Sequence, residues 1–519
     1  MINRYSFLSI FKFYPMKLQY KIAGLFLGAL SVNTSLAQEK QSKPNFLFLL
    51  TDDQTYESIH ALNNSEIKTP NLDKLSKRSV VFTHCFNQGS WSAAICVASR
   101  SMIITGQSVF HASKNKSYLG HGNPVDESKN EASLWGEVLG DAGYQTYITG
   151  KWHNSKHALL KSFDHGCSIG KGMYASSDEV GVYNRPSATN NDWTAWDKSK
   201  GGHWTPSVYD IIKDSKGNKK IGARYTSDKH TSELYADQAI TYLQNNISES
   251  ADPFFMYVAF NAPHDPRQSP KEFVDLYPVD KIKTPSSFLS KHPFDQGDSR
   301  VRDEMLAPFP RTNEAVAVHQ QEYYAIISHV DREIGKILKA LEVSGKADNT
   351  YIIFSSDHGL AVGRHGLMGK QNQYDHSVRM PLMIAGPGIQ AGHICHEMVY
   401  LQSIFATSCD LAGIDIPKSV DFPSLKSLLK DPNAKGENLI FGAYKDLQRM
   451  IRSKHYKLIV YPKVKKLQLF NLKNDPDELV NLANKKRMND VKSDLLMRLF
   501  MKQKELGDFL ELPSDVILW

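Results

Sequence analysis

Long apolar runs are almost absent from this 519-residue chain. The one near its start, Ile22 to Val32, is too short to cross a bilayer comfortably. No later segment is long enough either, which argues against an integral membrane protein. Excess charge of one sign is missing too. The formal net charge is +7, but four basic residues (Arg4, Lys12, Lys17 and Lys21) lie in the first 37 positions, where there is no acid. Without them the balance falls to +3. Bulk charge therefore gives no ground for nucleic-acid binding, and an anionic ligand would have to be met by local basic groups. Cysteine is sparse. Cys85, Cys96, Cys167, Cys395 and Cys409 form an odd set of five, so in an exported chain at least one is unpaired or chemically altered. Internal repeats and low-complexity tracts are absent. What is present is an apolar fraction of 41%, enough for one large α/β domain and a smaller one.

From Met16 the chain reads as a secretory signal. Lys17 and Lys21 form a basic region, Ile22 to Val32 an apolar one, and Ser35-Leu36-Ala37 supplies small residues for cleavage. The expectation is a signal peptide over 1–37, a start at Met16, cleavage after Ala37, and a periplasmic or secreted product. No cysteine stands at the cleavage site, so a lipid anchor is not expected.

Three apolar runs end in polar clusters. Asn45 to Leu50 leads into Thr51-Asp52-Asp53, Phe254 to Phe260 into Asn261-Ala262-Pro263-His264, and Tyr351 to Ser356 into Asp357-His358. Runs of this kind suit strands buried on both faces, and ligands of open α/β sheets gather at such strand ends. Between the last two, Ile327, Val330, Ile334, Leu338 and Leu341 recur at helical spacing within Tyr323 to Val343, and Gly345 is a stop. Strand, helix, strand in that order predicts a parallel sheet covered by helices. Ser176 to Arg224, rich in Lys, Gly, Ser, Asn and Trp, reads as a surface insertion of about 176–224 that shapes a cleft. The composition changes near residue 430. Beyond it, Asn438 to Tyr444, Met450 to Tyr461 and Lys466 to Leu472 read as strands, and Val491 to Leu506 as a closing helix. These predict an α+β subdomain over 436–519 after a catalytic domain over 44–430.

The chemistry-bearing residues fall in a fixed order: Asp52-Asp53, Cys96-Val97-Ala98-Ser99-Arg100, Gly150-Lys151-Trp152-His153, Pro263-His264, Asp357-His358-Gly359 and Gly369-Lys370. Each alone has a plain structural reading. The two aspartates could be a turn and a helix cap, the cysteine a buried residue, and Lys-x-His a solvated pair. Several carboxylates converging on one point, however, repel unless a hard cation joins them. As an ordered set over residues 44 to 485, the motifs resemble the type I, formylglycine-dependent sulfatases. Tyr456-Lys457-Leu458, Leu469-Phe470-Asn471-Leu472 and Asp475-Pro476 extend the resemblance, and Ala98 departs from it by replacing the usual proline.

The resemblance implies an alkaline phosphatase-like fold, with a large, mostly parallel mixed sheet sandwiched by helices. It implies Ca2+ held by Asp52, Asp53, Cys96, Asp357 and His358, His358 being the softest ligand, and Cys96 oxidised to formylglycine by a formylglycine-generating or an anaerobic sulfatase-maturating enzyme. The aldehyde hydrate would attack sulfur and release the alcohol, and its second hydroxyl would then expel sulfate. Arg100 would hold the aldehyde, Lys151 and Lys370 the sulfate. His153 would act as the base that restores the aldehyde, and His264 as the acid for the departing alcohol, both titrating near neutral pH. Arg379 reads as an ion-pairing residue, and Arg267, Arg364, His365 and His111 as exposed decoration. The expected substrate is a sulfated poly- or oligosaccharide. Two other readings stay open: a phosphodiesterase or phosphonate hydrolase on the same core, and an inactive carbohydrate-binding relative.

Overall fold

A computed structural model describes residues 43–119, 132–172, 194–298 and 302–513. The leader over 1–37 and part of the proposed insertion lie outside the described residues. The strands, in chain order, are β1 (Asn45–Thr51), β2 (Val80–Phe86), β3 (Gly89–Ser90), β4 (Gln145–Lys151), β5 (His165–Gly170), β6 (Ser207–Lys213), β7 (Lys219–Ile221), β8 (Tyr225–Thr226), β9 (Phe254–Ala259), β10 (Thr350–Ser356), β11 (Arg379–Ala385), β12 (Ile394–Tyr400), β13 (Ile440–Tyr444), β14 (Gln448–Arg452), β15 (Tyr456–Tyr461) and β16 (Lys466–Asn471). The large sheet runs β12-β2-β11-β10-β1-β9-β4-β5-β6-β7, with β8 on β6. Its centre, β10-β1-β9-β4-β5, is parallel, as the three apolar runs predict.

Both faces of that centre are buried. Phe46, Phe48 and Leu50 pack with Trp135 and Phe405 on one side. Leu47 and Leu49 pack with Leu234, Ile326, Val330 and Ile334 on the other. Because strand side chains alternate, a strand covered by helices on both faces must be apolar at every position, and all seven residues of β1 are buried.

Three features differ from the sequence reading. The long helix is Asn313–Val343, ten residues longer at its start, capped by the Thr312 hydroxyl accepting from Ala315 N–H at 3.1 Å. Its first turns carry His319, Gln320 and Glu322, which are polar although buried, so they lack the apolar repeat that revealed the rest. The stretch 207–221, expected as loop, forms β6 and β7 at the sheet edge, where half-exposed residues blur the pattern. Met450 to Tyr461 is two strands, because the Ser453 hydroxyl accepts from Tyr456 N–H and turns the chain into a hairpin.

The second sheet, β16-β15-β14-β13-β3, joins the C-terminal strands to Gly89–Ser90 in the core. Gly89 lies at φ +84, and a Cβ there would stand 2.1 Å from the Ala443 carbonyl oxygen, so only glycine permits this junction. One face of the sheet packs Phe441, Ile451 and Leu458 against Met102, Val109 and the helix Asn489–Leu506. A largely buried ion cluster closes the other connection. Asp375, ahead of β11, pairs with Lys457 and with Arg452 at 3.3 Å, and Lys457 also meets Glu478 at 2.6 Å. Arg379 stands 3.9 Å from Asp375, the ion-pairing position expected of it.

Removing one partner of such a cluster leaves an uncompensated buried charge. Asp375→Asn is expected to destabilise the fold by about 3 kcal/mol in urea titrations. Burial opposes ionisation of Asp375, but the Arg452 and Lys457 charges outweigh it and hold the carboxyl well below its usual range. Its contribution is therefore present above about pH 4 and lost as pH falls below that value. Glu478 moves oppositely, pushed up to about 7 by burial against the pull of Lys457, so ionising it costs stability as pH rises from about 4.5 to 7. Melting temperatures across pH 2 to 8 should show both limbs in the parent chain and a weakened acid limb in D375N.

Candidate functional site

Asp52 and Asp53 leave the end of β1 with no exposed surface. Asp52 N–H donates to the Ala262 carbonyl at 3.0 Å, Asp357 N–H to that of Thr51 at 3.1 Å, and Asp53 N–H to the Asp357 carboxylate at 3.2 Å. Three parallel strands thus tie their ends together. Asp53 has φ +72, a left-handed turn that aspartate tolerates better than most residues. Tyr323 fixes that turn, its hydroxyl donating to the Asp53 carbonyl at 2.7 Å and accepting from Thr55 N–H at 2.9 Å.

Cys96 is the second residue of the helix Ile95–Thr105 and is buried. Its Sγ lies 3.1 Å from Asp52 Oδ1, 3.8 Å from Asp53 Oδ1 and 3.0 Å from Lys370 Nζ. One helical turn on, Arg100 donates through Nε to Asp357 at 2.9 Å and through Nη1 to the Lys151 carbonyl at 2.8 Å, while its buried Nη2 has no partner. Lys151, at the end of β4, pairs with Asp52, and Lys370 with Asp53. Gly150 must be glycine: at φ +95, a Cβ would lie 1.9 Å from the Ala259 carbonyl oxygen. This explains why a glycine precedes the lysine in Gly-Lys-Trp-His.

His264 Nε2 is 3.7 Å from Asp53 Oδ2, and its Nδ1 donates to the Asp265 carbonyl at 2.6 Å. His153 follows the strand end, half-buried, its Nδ1 without a partner. The donor atoms of Asp52, Asp53, Cys96 and Asp357 all lie within 4.8 Å of one another. His358 falls outside that set. Its Nδ1 bonds the Gly359 carbonyl at 3.1 Å, and its Nε2 is buried and unpartnered.

Burial shapes the titration. Desolvation and the Asp52 charge push the Cys96 thiol well up, against the pull of both lysines, so it stays protonated. Burial and Asp52 likewise raise Asp357 to about 6, with Arg100 opposing. The expectation that the histidines titrate near neutrality is not met. Burial, reinforced by the Lys370 and Lys151 charges and only partly offset by Asp265, drives His264 to about 3. Burial and Lys151 carry His153 well below its ordinary value. Both rings are neutral in the free site.

Two of the residues read as decoration are buried. Arg267 donates to His319 Nδ1 at 2.8 Å beside the Tyr323 ring, and His365 stacks on Tyr374 with centroids 4.0 Å apart. Arg364 and His111 do pair near the surface, with Glu57 and Asp421. The sequence reading missed Asn87, whose amide donates to the Asp357 carbonyl at 3.1 Å. It also missed Glu304, whose carboxylate accepts from Gly369 N–H at 2.9 Å just before Lys370. Neither sits in a motif or a periodic run. All five cysteines are unpaired.

The large mixed, mostly parallel sheet with flanking helices is that of the alkaline phosphatase-like fold. The chain matches the family profile described as "Sulfatase" over residues 44–414, and that of the C-terminal region of N-sulphoglucosamine sulphohydrolase over 363–505. It belongs to the sulfatase family and is a sulfuric ester hydrolase. It is 28% identical over 473 residues to an arylsulfatase of Clostridium perfringens, covering 89% of this chain and 95% of that one. With an N-acetylglucosamine-6-O-sulfatase of Bacteroides thetaiotaomicron it shares 23% identity, covering 96% and 93%. A solved structure in complex with its substrate D-glucosamine-2-N,6-O-disulfate has the same fold, with TM-score 0.68 and 22% identity over 90% of this chain and 99% of that one. Among the described residues, no helix is long and apolar enough to cross a membrane.

A protonated, buried thiol is a slow nucleophile. In chains that retain the Cys96 thiol, native-state alkylation by iodoacetamide at pH 8 is expected to be at least about tenfold slower at Cys96 than at the more exposed Cys167. Peptide mapping would measure this, and unfolding in guanidinium should abolish the difference.

Proposed function

We propose that the protein is an exported, calcium-dependent sulfatase in which Cys96 becomes formylglycine and which removes a sulfate ester from a poly- or oligosaccharide. The observation that carries this reading is the seat of residue 96: a helix start facing Asp52, Asp53 and Lys370, with Arg100 and Asp357 one turn beyond. Export rests on the leader over 1–37, and conversion implies a maturase of one of the two kinds named above. The division into a catalytic domain over 44–430 and a C-terminal subdomain over 436–519 belongs to the same reading. A sulfated sugar is supported by relatives named for such substrates, including the N-acetylglucosamine-6-O-sulfatase and an ulvan-active sulfatase of Formosa agariphila.

The residues fit the two groups this reading needs. Asp52, Asp53 and Asp357 offer hard, converging oxygens of the kind Ca2+ takes, and His358 has a buried Nε2 to offer as a further ligand. Bound there, Ca2+ would polarise a sulfate oxygen, and formylglycine would supply a hydrated aldehyde as nucleophile. Arg100 secures Asp357 and keeps its Nη2 for the group at 96. Lys151 and Lys370 oppose the negative charge that grows on the sulfate oxygens, a preorganised contribution of the kind that commonly dominates catalysis. His153 takes a proton on the side of residue 96. His264 meets the bridging oxygen; the charge of an arriving sulfate ester offsets the two lysines and raises its affinity for the proton it must donate.

Mass spectrometry of the Cys96 peptide should find a species lighter by about 18 Da, the difference between thiol and aldehyde. Cys96→Ala should melt within about 2 °C of the parent and lose at least about 10³-fold in turnover, the scale on which acting nucleophiles count. EDTA should remove activity and Ca2+ restore it. Matched sulfate, phosphate and phosphonate esters test the class of substrate: a preference for the phosphorus esters would overturn the reading.

A further inference from the structure

His203, in the polar stretch ahead of β6, has no part in the chemistry outlined above, yet it is fully buried. Its Nε2 lies 3.1 Å from the carbonyl oxygen of His264, and its Nδ1 lies 2.6 Å from the Thr231 hydroxyl. A carbonyl oxygen can only accept, so Nε2 carries the proton and Nδ1 accepts from Thr231. One neutral tautomer satisfies both contacts. The backbone is held as well, His203 N–H donating to Gln268 Oε1 at 2.8 Å.

A second imidazole supports the first. The His230 ring lies nearly parallel to that of His203, with centroids 5.1 Å apart and 11° between planes. His230 Nδ1 accepts from Ser232 N–H at 3.2 Å, which leaves Nε2 to donate to the Gln268 carbonyl at 3.0 Å. The two rings thus clamp the segment 264–268 at both ends. The His264 ring is itself fixed by its Nδ1 on the next carbonyl, that of Asp265. With Nδ1 engaged, the direction of Nε2 follows the backbone of residues 264 and 265, which His203 grips at the His264 carbonyl while the His264 N–H donates to the Asn261 carbonyl at 3.0 Å.

We infer that His203 is a positioning residue for the reaction: by donating to the His264 carbonyl it fixes the angle at which His264 Nε2 meets the bridging oxygen of a sulfate ester. The inference rests on the reading of His264 as the group that protonates the departing oxygen. His264 holds one proton on Nδ1 and takes a second on Nε2 from solvent as the ester binds; when the S–O bond breaks, its electron pair stays on the departing oxygen, which takes the Nε2 proton and leaves the ring as the neutral Nδ1–H form. Good leaving groups need this proton little and poor ones need it greatly. A misdirected His264 therefore penalises the poor leaving group selectively, whereas a general loosening of the fold penalises all esters alike.

The test compares 4-nitrophenyl sulfate with phenyl sulfate on the matured, calcium-loaded enzyme. His203→Phe keeps a ring of similar size and removes the donor. It is expected to lower kcat about thirtyfold for phenyl sulfate and about threefold for 4-nitrophenyl sulfate, with KM within about twofold. His203→Gln, whose amide can still donate, should recover most of the loss. His264→Ala should steepen the leaving-group dependence in the same way, and the H203F/H264A double variant should be little worse than H264A. Equal losses on both esters, or additive losses in the double variant, would overturn the role of His203. If H264A itself shows no leaving-group dependence, the assignment of His264 fails instead.

A second measurement needs no turnover. In histidine labelled with nitrogen-15, the His264 ring should show the single Nδ1–H tautomer in the parent and a mixture in H203F; an unchanged spectrum would also sink the inference. Should H203F not fold, Thr231→Val removes the hydroxyl that sets the His203 tautomer, and the same two readouts apply.

Discussion

Three carboxylates with no exposed surface stand at the ends of neighbouring strands, and almost everything else about this protein follows from having to keep them there. Isolated buried charges of one sign are too costly to persist. Asp52, Asp53 and Asp357 are therefore met by Lys151, Lys370 and Arg100, each itself buried. The sheet supplies the geometry. Its parallel centre lets β1, β10 and β4 deliver their acids and the lysine from one end, and backbone hydrogen bonds between strand ends hold the acids closer than their charges would allow. Burial, reinforced by the lysine charges, keeps His264 and His153 neutral, and burial with the Asp52 charge keeps the Cys96 thiol protonated. Three cations against three carboxylates leave no net charge, so the Ca2+ of the proposed reading would make the cluster positive, which is a physical reason for a cluster of this composition to recognise the sulfate group.

The part of this arrangement visible in the sequence is the part that carries a pattern. β1, β9 and β10 are unbroken apolar runs because both faces are covered, and the acids and His264 follow them directly. The small sheet was legible for the same reason, except where Ser453 folds one run into a hairpin. Buried polar structure leaves no such trace. The first ten residues of the helix Asn313–Val343 carry buried His319, Gln320 and Glu322 where a fuller apolar stripe would have announced a helix. Asn87, Glu304 and His203 support the site through hydrogen bonds to backbone, and any polar residue of the right reach could do so. Arg267 and His365 misled for a related reason: long or aromatic polar side chains read as surface unless their partners are known.

The C-terminal sheet is bound into the site more closely than a boundary near residue 430 suggests. Its parallel partner is β3, and Gly89–Ser90 lie only a few residues before Cys96. Lys445 N–H donates to the Ser90 carbonyl at 2.8 Å, which extends the junction. Gln373, three residues after Lys370, stands close to both Gly89 and Gly442, on opposite sides of the same junction. The loops that present residue 96 and Lys370 are thus anchored on one strand edge. Packing there fixes how far apart the two can stand.

The protonated state of Cys96 is a physical reason why this site would suit an altered residue. A thiolate at 96 would place a fourth negative charge among three carboxylates, and desolvation together with Asp52 keeps that from happening at neutral pH. Yet a helix start, an ammonium at 3.0 Å and an unpartnered guanidinium N–H all favour a negatively polarised atom near that position. The two demands are reconciled by a residue that is neutral at rest and polar enough to gain negative charge only as it reacts. The hydrated aldehyde of the proposed reading would have both properties, and its second hydroxyl would give a sulfate ester formed there a route of escape that a serine or cysteine ester lacks. On that reading the environment of residue 96 would select the state of the nucleophile as much as the charge of the substrate.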